Sequence, residues 1–380
     1  MADRVGMGVV GCGAIGITAA LEHLSQPDVQ DRVFLAATCD PVPGRAEAAA
    51  KKYNVPAHYT SLDELLKNDT VTAVTICSPI GLHYEQGMKA IEAGKHVHFN
   101  KTMCTTAKEA TELIKAAKRK KVRLVASPGQ MIRPYNQRFR KLVKEGKLGQ
   151  VIWASAACSM SHYHTNEKVR KGEGALGNID PSWYYKKPAG GPVYDGTVYS
   201  LHSLTGLLGP AQRVTAMSGL VVKERFFNGN PIQCEMDDST FFLIDFGNGL
   251  FAFSGGTVLG GVNEGFSPTV FGTLGTIKGF NFIPKKPAPA PGAFGDDDAP
   301  QLQDLPDDHQ PHVVGPHATM REKHVFEDMM QLVDWIREKK PSIATAEHAR
   351  HVIEIIEAAY KSAQTGKAQK LKTTFAPADF

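Results

Sequence analysis

The residues Gly11-Cys12-Gly13-Ala14-Ile15-Gly16 follow an apolar run, Val5 to Val10, and open a stretch with helical periodicity. In that setting the G-x-G-x-x-G spacing has a physical purpose. The first glycine makes a tight turn, the second lets backbone approach a pyrophosphate, and the third permits close packing of helix on strand. The helix N-terminus then attracts the phosphates. Cys12, Ala14 and Ile15 complete the loop, and Asp40 ends the second apolar run. A carboxylate there accepts both ribose hydroxyls and repels a 2′-phosphate, so NAD is expected in preference to NADP. Arg45 stands close enough in sequence to meet a 2′-phosphate or to lie on the solvent face of its helix. Ser78-Pro79-Ile80-Gly81-Leu82-His83 follows the run VTAVTIC and falls where a parallel strand's carboxyl end meets the cofactor crevice. Its His83 either touches the ribose or completes local packing.

Two further groups carry weaker signals. His162 and His164 alternate in SHYHTN, but two histidines without a nearby third ligand make a poor metal site, and none is expected. Lys168, Arg170, Lys171, Lys186 and Lys187 form a basic stretch that reads as a solvated run or as a contact for an anionic sugar.

The elements that must position these groups alternate strand and helix through residue 126. Val5 to Val10, Val33 to Cys39, Val71 to Cys77, His96 to Phe99 and Val122 to Ala126 read as buried parallel strands. Ala14 to His23, Gly44 to Tyr53, Leu82 to Ala93 and Thr106 to Lys118 read as the helices between them, giving an α/β doubly wound sheet. A connecting segment, 127–150, contains a helix from Tyr135 to Glu145. Beyond it VIWASAAC, RVTAMSGLVV, STFFLIDF, GLFAFSGGTV and TVFGTLGTIKGF read as five long strands, most economically an antiparallel sheet, within a second domain at 151–342. The Pro-rich, Asp-rich stretch from Pro284 to Pro316 cannot be a regular element. Helices are expected at His317 to Lys339 and Thr345 to Thr365, the last in a C-terminal unit, 343–380, with Gly366 as its cap.

VGCGAIG, CDP, TICSPIGLHYEQGMKAIEAGKHVHFNKT and GGPVYDGTVYSLHSLTGLLG together resemble the glucose-fructose oxidoreductase, inositol dehydrogenase and MocA family over most of the chain. The resemblance implies a Rossmann domain followed by an α/β domain with an open, mostly antiparallel sheet, whose exposed face supports a homodimer or homotetramer. It implies hydride transfer between NAD and a hydroxyl carbon of a sugar, sugar acid or cyclitol. Two alternatives are an NAD-recycling glycosidase working by transient oxidation, and a non-catalytic NAD-binding regulator. Where the family shows Glu-Lys-Pro, this chain has Asn100-Lys101-Thr102, and Lys101 is implied to bond the substrate hydroxyl near the nicotinamide ribose. Gly190-Gly191, Asp195, Tyr199 and His202 match the second family motif with Tyr for His and His for Asp. On a helix the spacings of four and three put Asp195, Tyr199 and His202 on one face. Tyr199 is implied as partner acid/base, Asp195 as orienter of substrate hydroxyls and His202 as a further polar contact.

Composition sets the remaining bounds. With 42% hydrophobic and 22% charged residues the chain is ordinary globular protein, and 43 Lys plus Arg against 39 Asp plus Glu gives no electrostatic case for a nucleic-acid or membrane partner. Six scattered cysteines, a start that runs directly into a strand, and no long apolar window predict reduced thiols and a cytoplasmic protein without a signal peptide or membrane span.

Overall fold

The computed structural model describes residues 4–159, 170–259, 267–285 and 310–378. The His162 and His164 pair, Lys168, and most of the Pro-rich stretch lie outside the described residues.

The first sheet is built from β1 (Val5–Val10), β2 (Val33–Cys39), β3 (His58–Tyr59), β4 (Ala73–Ile76), β5 (His96–Phe99) and β6 (Leu124–Ala126). Its order is β3-β2-β1-β4-β5-β6 and all pairs are parallel, the doubly wound arrangement expected from the sequence. Every residue of β1 is buried, as a strand covered on both faces must be. Helical segments α1 (Glu22–Leu24), α2 (Arg45–Tyr53), α3 (Leu62–Leu66), α4 (His83–Glu92) and α5 (Ala107–Lys120) connect the strands. Thr106 and Glu109 cap α5 reciprocally, which sets its start. Strand order reverses between β1 and β4, so a crevice opens outside their carboxyl ends.

After α6 (Pro134–Lys144) come β7 (Val151–Ser159), α7 (Val198–Leu208), β8 (Arg213–Gly219) and a separate hairpin, β9 (Glu224–Phe227) with β10 (Asn230–Gln233). β11 (Ser239–Gly247), β12 (Leu250–Thr257), β13 (Thr269–Gly272), β14 (Gly275–Lys278), β15 (Asn281–Pro284), α8 (Lys323–Glu338), α9 (Ala346–Thr365) and β16 (Gln369–Lys370) follow. The second sheet runs β15-β14-β13-β7-β12-β11-β8-β16; only its β7–β12 pair is parallel. Asn248 and Gly249 both have positive φ and join β11 to β12 in the expected turn.

Three local expectations change. TVFGTLGTIKGF is not one strand but the hairpin β13–β14 and the turn into β15. A Cβ on Gly272 would sit 2.2 Å from Leu148 O, so glycine is required where β13 ends. Regular helix begins at Lys323 rather than His317, because Pro316 sits in a short 3-10 turn and Glu322 has φ of 54°. The third concerns α8, read as part of the second domain. It packs on the first sheet, where Phe326, Met329, Met330 and Val333 share a core with Met7, Val9 and Leu21. That docking brings the residues at its head to the crevice of a sheet finished about two hundred positions earlier.

α7 and α9 cover one face of the second sheet through Leu201, Leu204, Ile355 and Ile356. The other face is open, with Met217, Leu243 and Phe251 exposed and Trp153 stacked on Phe271. Among the described residues no helix is long and apolar enough to cross a membrane. Cys12, Cys39, Cys77, Cys104 and Cys234 are free thiols.

Candidate active site

A cleft of about 780 Å³ lies between the two sheets' domains and takes in both the Gly-rich loop and the segment around Asp195. That is within the size of ordinary ligand sites. Its cofactor end is mostly backbone. Gly11 has φ of +90° and a Cβ there would stand 2.8 Å from Ser78 N, so only glycine turns this corner. A Cβ on Gly16 would fall 1.9 Å from Gly11 O, whereas one on Gly13 would meet nothing closer than Ile179 Cγ2 at 3.8 Å. The space beside Gly13 is therefore open to the cleft, as close approach of a pyrophosphate requires. Ala14 and Ile15 line the same end.

Asp40 is 5% exposed; its Oδ2 accepts from Cys12 N at 2.9 Å and its Oδ1 from Val42 N at 2.9 Å. Arg45 approaches Oδ1 at 3.8 Å while its Nε donates to Ala175 O at 3.0 Å, so it lines the cleft rather than facing solvent. Ser78 and Pro79 form another part of the wall, and Ser78 Oγ donates to Gln86 Oε1 at 2.5 Å. His83 is not in the lining. It is fully buried between two carbonyls, with Nδ1 2.9 Å from Thr102 O and Nε2 2.8 Å from Ser78 O; burial pushes its pKa down to about 4, so the neutral ring donates to one of the two. Wedged between two wall segments and outside the lining, the imidazole serves local packing.

Asn100 and Lys101 follow β5 into the middle of the cleft. Asn100 Oδ1 is buried without a hydrogen-bond partner. Such an acceptor costs about 1–3 kcal/mol unless a ligand donor meets it. The open space at Gly13 and this orphaned acceptor fit a bound dinucleotide. The Lys101–Thr102 peptide is cis, and Thr102 Oγ1 donates to Tyr194 O at 2.7 Å, fastening the strand end to the second domain.

Lys101 Nζ donates to Asp195 Oδ1 at 2.6 Å and to Asp195 O at 2.7 Å, with both side chains under 10% exposed. The ammonium also lies 5.3 Å from the centre of the Tyr199 ring, within cation–π range. Asp195 belongs to a π-helical turn, Val193–Thr197, that runs into α7. Tyr199 lines the cleft almost buried, and burial followed by the charges of Glu322 and Asp195 holds its phenol well above the ordinary range. The phenol oxygen stands 2.8 Å from His324 Nε2. Burial, then Arg133 and Lys101, keep that imidazole well below its ordinary pKa, so it is neutral, and in its Nδ1-protonated tautomer Nε2 accepts from the phenol.

The structure thus brings Lys101, Asp195 and Tyr199 together but separates His202 from them. His202 lies 4.6 Å, ring centre to ring centre, from His348, buried and pushed down to about 3. At about 100° per residue, three positions beyond Tyr199 is about 60° off its direction, and in α7 that turn is enough to point the ring at α9. The π turn before Tyr199 further breaks the regular face that the spacing assumed. Of the basic stretch, Arg170 lines the cleft and Lys186 pairs with Glu235 at the surface. Glu322 and His324 were missed by the sequence reading. They stand at the head of a helix assigned elsewhere, 125 positions from Tyr199 in the case of His324, and no spacing rule connects them. No metal-binding group of three or more His, Cys, Asp or Glu occurs among the described residues.

Comparison with known proteins places this architecture. Residues 5–127 match the oxidoreductase family's NAD-binding Rossmann fold and residues 140–372 its C-terminal alpha/beta domain. An uncharacterized oxidoreductase of Synechocystis is 31% identical over 182 residues, 48% of this chain and 46% of that protein. D-glucoside 3-dehydrogenase of Escherichia coli is 26% identical over 254 residues, 63% of this chain and 66% of the relative. The chain therefore spans between about half and two thirds of the length of these two relatives. The solved oxidoreductase domain protein from Kribbella flavida superposes with a TM-score of 0.76 at 21% identity, covering 97% of this chain and 99% of that one, a likeness of fold. With both domain families matched in order across nearly the whole sequence, the chain belongs to the Gfo/Idh/MocA oxidoreductase family and carries its NAD-binding Rossmann domain.

Proposed function

We propose that this oxidoreductase transfers hydride between NAD and a hydroxyl-bearing carbon of a sugar, sugar acid or cyclitol. The observation that carries the reading is the Lys101 ammonium, paired with Asp195 and set against Tyr199 in the same cleft as the Gly-rich loop. Bound in that cleft, the nicotinamide supplies the hydride chemistry. The chain's own part is binding, orientation and proton handling. Gly11, Gly13, Ala14, Ile15 and Gly16 hold the pyrophosphate, Ser78 and Pro79 bound the crevice, and Asn100 offers its carbonyl to a ribose or carboxamide donor. Lys101 donates to the substrate oxygen and stabilises negative charge as it develops there. Asp195 fixes the ammonium and accepts from a neighbouring substrate hydroxyl. Tyr199, kept protonated by burial, exchanges the proton of the reacting hydroxyl.

Asp40 supports NAD over NADP. Its carboxylate closes β2 at the ribose end of the cleft and opposes a 2′-phosphate, while Arg45 is held by Asp40 and Ala175. The name of the Escherichia coli relative, a D-glucoside 3-dehydrogenase, supports a carbohydrate substrate. The open face of the second sheet supports a homo-oligomer, because a second copy would cover its exposed Met217, Leu243 and Phe251.

The test is NADH formation with a panel of sugars, sugar acids, inositols and aryl glycosides, run beside product analysis. Steady NADH formation with an oxidised product is expected. Glycoside cleavage that needs NAD without net NADH would replace the dehydrogenase reading with a redox-recycling one. NAD binding without either reaction would favour a ligand-sensing role.

A further inference from the structure

Tyr199 is the proposed proton-exchanging group; it lines the cleft with 4% of its surface exposed, and its hydroxyl stands 2.8 Å from His324 Nε2. The rings meet edge to face with centres 5.4 Å apart, which fixes the imidazole. Glu322 Oε2 lies 3.8 Å from the same nitrogen. Both residues line the cleft, and both come from the head of α8, the helix that the second part of the chain sends back onto the first sheet. Glu322 occupies the left-handed region at φ of 54°, a backbone conformation that a non-glycine residue holds only when its surroundings enforce it.

We propose that His324 is a positioning and proton-relay residue for this site: it accepts the Tyr199 hydroxyl bond and takes the phenol proton as Tyr199 takes the proton of the substrate hydroxyl. The proposal rests on the dehydrogenase reading above. In oxidation the carbinol C–H breaks and its two electrons leave with the hydride for the nicotinamide. The O–H proton passes to Tyr199 Oη, the proton already there passes to His324 Nε2, and the substrate C=O forms. The imidazolium then returns the Nε2 proton to solvent through the cleft that His324 lines, which restores the Nε2 lone pair, and reduction runs the same transfers backwards.

The charges around His324 suit a transient carrier. Arg133 from the turn before α6, Lys101 from the end of β5, His23 from α1 and Lys323 beside it all disfavour the imidazolium. Glu322 faces it, and Asp328 stands one turn farther along α8. An imidazole in that field returns its proton readily, and its resting state presents the lone pair that Tyr199 needs.

His324→Gln retains an acceptor for the Tyr199 hydroxyl but cannot carry a proton. With the best substrate of the panel, kcat should fall about 100-fold, the low end of general acid–base effects, with the pH profile of kcat changed and NADH affinity and melting temperature held close to wild type. In a Tyr199→Phe background the same change should add no further loss, and imidazole in solution should restore part of the activity of His324→Ala. A kcat within twofold of wild type, or an undiminished loss in the Tyr199→Phe background, would overturn the relay. A readout independent of turnover separates this from failure of the dehydrogenase reading. In ¹⁵N-histidine spectra His324 Nε2 should be unprotonated and should shift in Tyr199→Phe, whereas a protonated Nε2 overturns the relay even if no sugar reacts.

Discussion

The two ends of the cleft are made in different ways. The cofactor end is a few consecutive residues whose backbone forms the surface: Gly11, Gly13 and Gly16 act through the side chains they lack, and Asp40 through a single carboxylate. The reaction end is assembled from side chains at the end of β5, the π turn before α7, α7 itself and the head of α8. The first kind of site is written locally and survives changes elsewhere in the chain. The second depends on three segments docking correctly, and its chemistry can change while its cofactor stays the same.

The predictions test that division. The largest effect should come from Lys101→Ala. It removes the ammonium that pairs with Asp195 and that the proposed reaction directs at the substrate oxygen, so kcat should fall by about 10²–10⁴ in steady-state assays. NAD affinity, measured by titration calorimetry, should change little if the two ends are independent. The converse variant is Gly13→Val. A Cβ there meets nothing closer than Ile179 Cγ2 at 3.8 Å, so the fold should tolerate a side chain, which fills the space a pyrophosphate needs. NADH binding by fluorescence should weaken at least about tenfold, equivalent to about 1.4 kcal/mol, with the melting temperature nearly unchanged. Comparable affinities in the two proteins would mean that the cofactor does not lie along this loop.

Stability should respond to acid through the buried histidines. His83 is pushed down to about 4, and His98 and His202 to about 3, in each case by burial first. The unfolded chain takes up their protons near pH 6.5, while the folded chain resists until pH 4 or below. The unfolded state therefore binds more protons in that window, and stability is lost as pH falls through it. Denaturant midpoints measured between pH 7 and pH 4 should drop steadily. His202→Gln should make that slope shallower and cost about 0.5–3 kcal/mol at neutral pH, while leaving kcat within twofold, because the ring serves the α7–α9 packing and not the cleft. A large loss of kcat at unchanged stability would return His202 to the reaction end. The smallest catalytic effect is expected from Leu243→Asp on the open sheet face. Sedimentation should show an assembly reduced to single chains with per-chain activity largely kept.

How much of this could be read from the sequence follows the same division. The Gly-rich turn after β1, the acid ending β2 and the parallel pairing of covered strands rest on short-range rules, glycine's permissiveness and the burial pattern, and the parallel sheet is found as expected. Asp195 and Tyr199 are found beside Lys101 in the cleft, but the resemblance, not spacing, singled out the lysine. His202 was grouped with Tyr199 because a spacing of three counts as one face, although it turns the ring about 60° away, and in α7 that offset aims it at His348 on α9. His324 was invisible because its place depends on α8 leaving the second domain to pack on Met7 and Val9, and an amphipathic pattern tells that a helix has an apolar face without telling which core receives it. The β13–β14 hairpin was hidden for a related reason: apolar alternation continues through Gly272 and Leu274, while the close approach of Leu148 that requires glycine at the end of β13 comes from another segment.

The most direct test of the central claim is to follow the hydrogen itself. A panel substrate deuterated at the carbon that is oxidised, turned over with unlabelled NAD, should yield reduced cofactor carrying one deuterium at the nicotinamide, seen by mass spectrometry and NMR, and should slow the reaction. Unlabelled reduced cofactor, or product formed with no reduced cofactor at all, would contradict direct hydride transfer at this site.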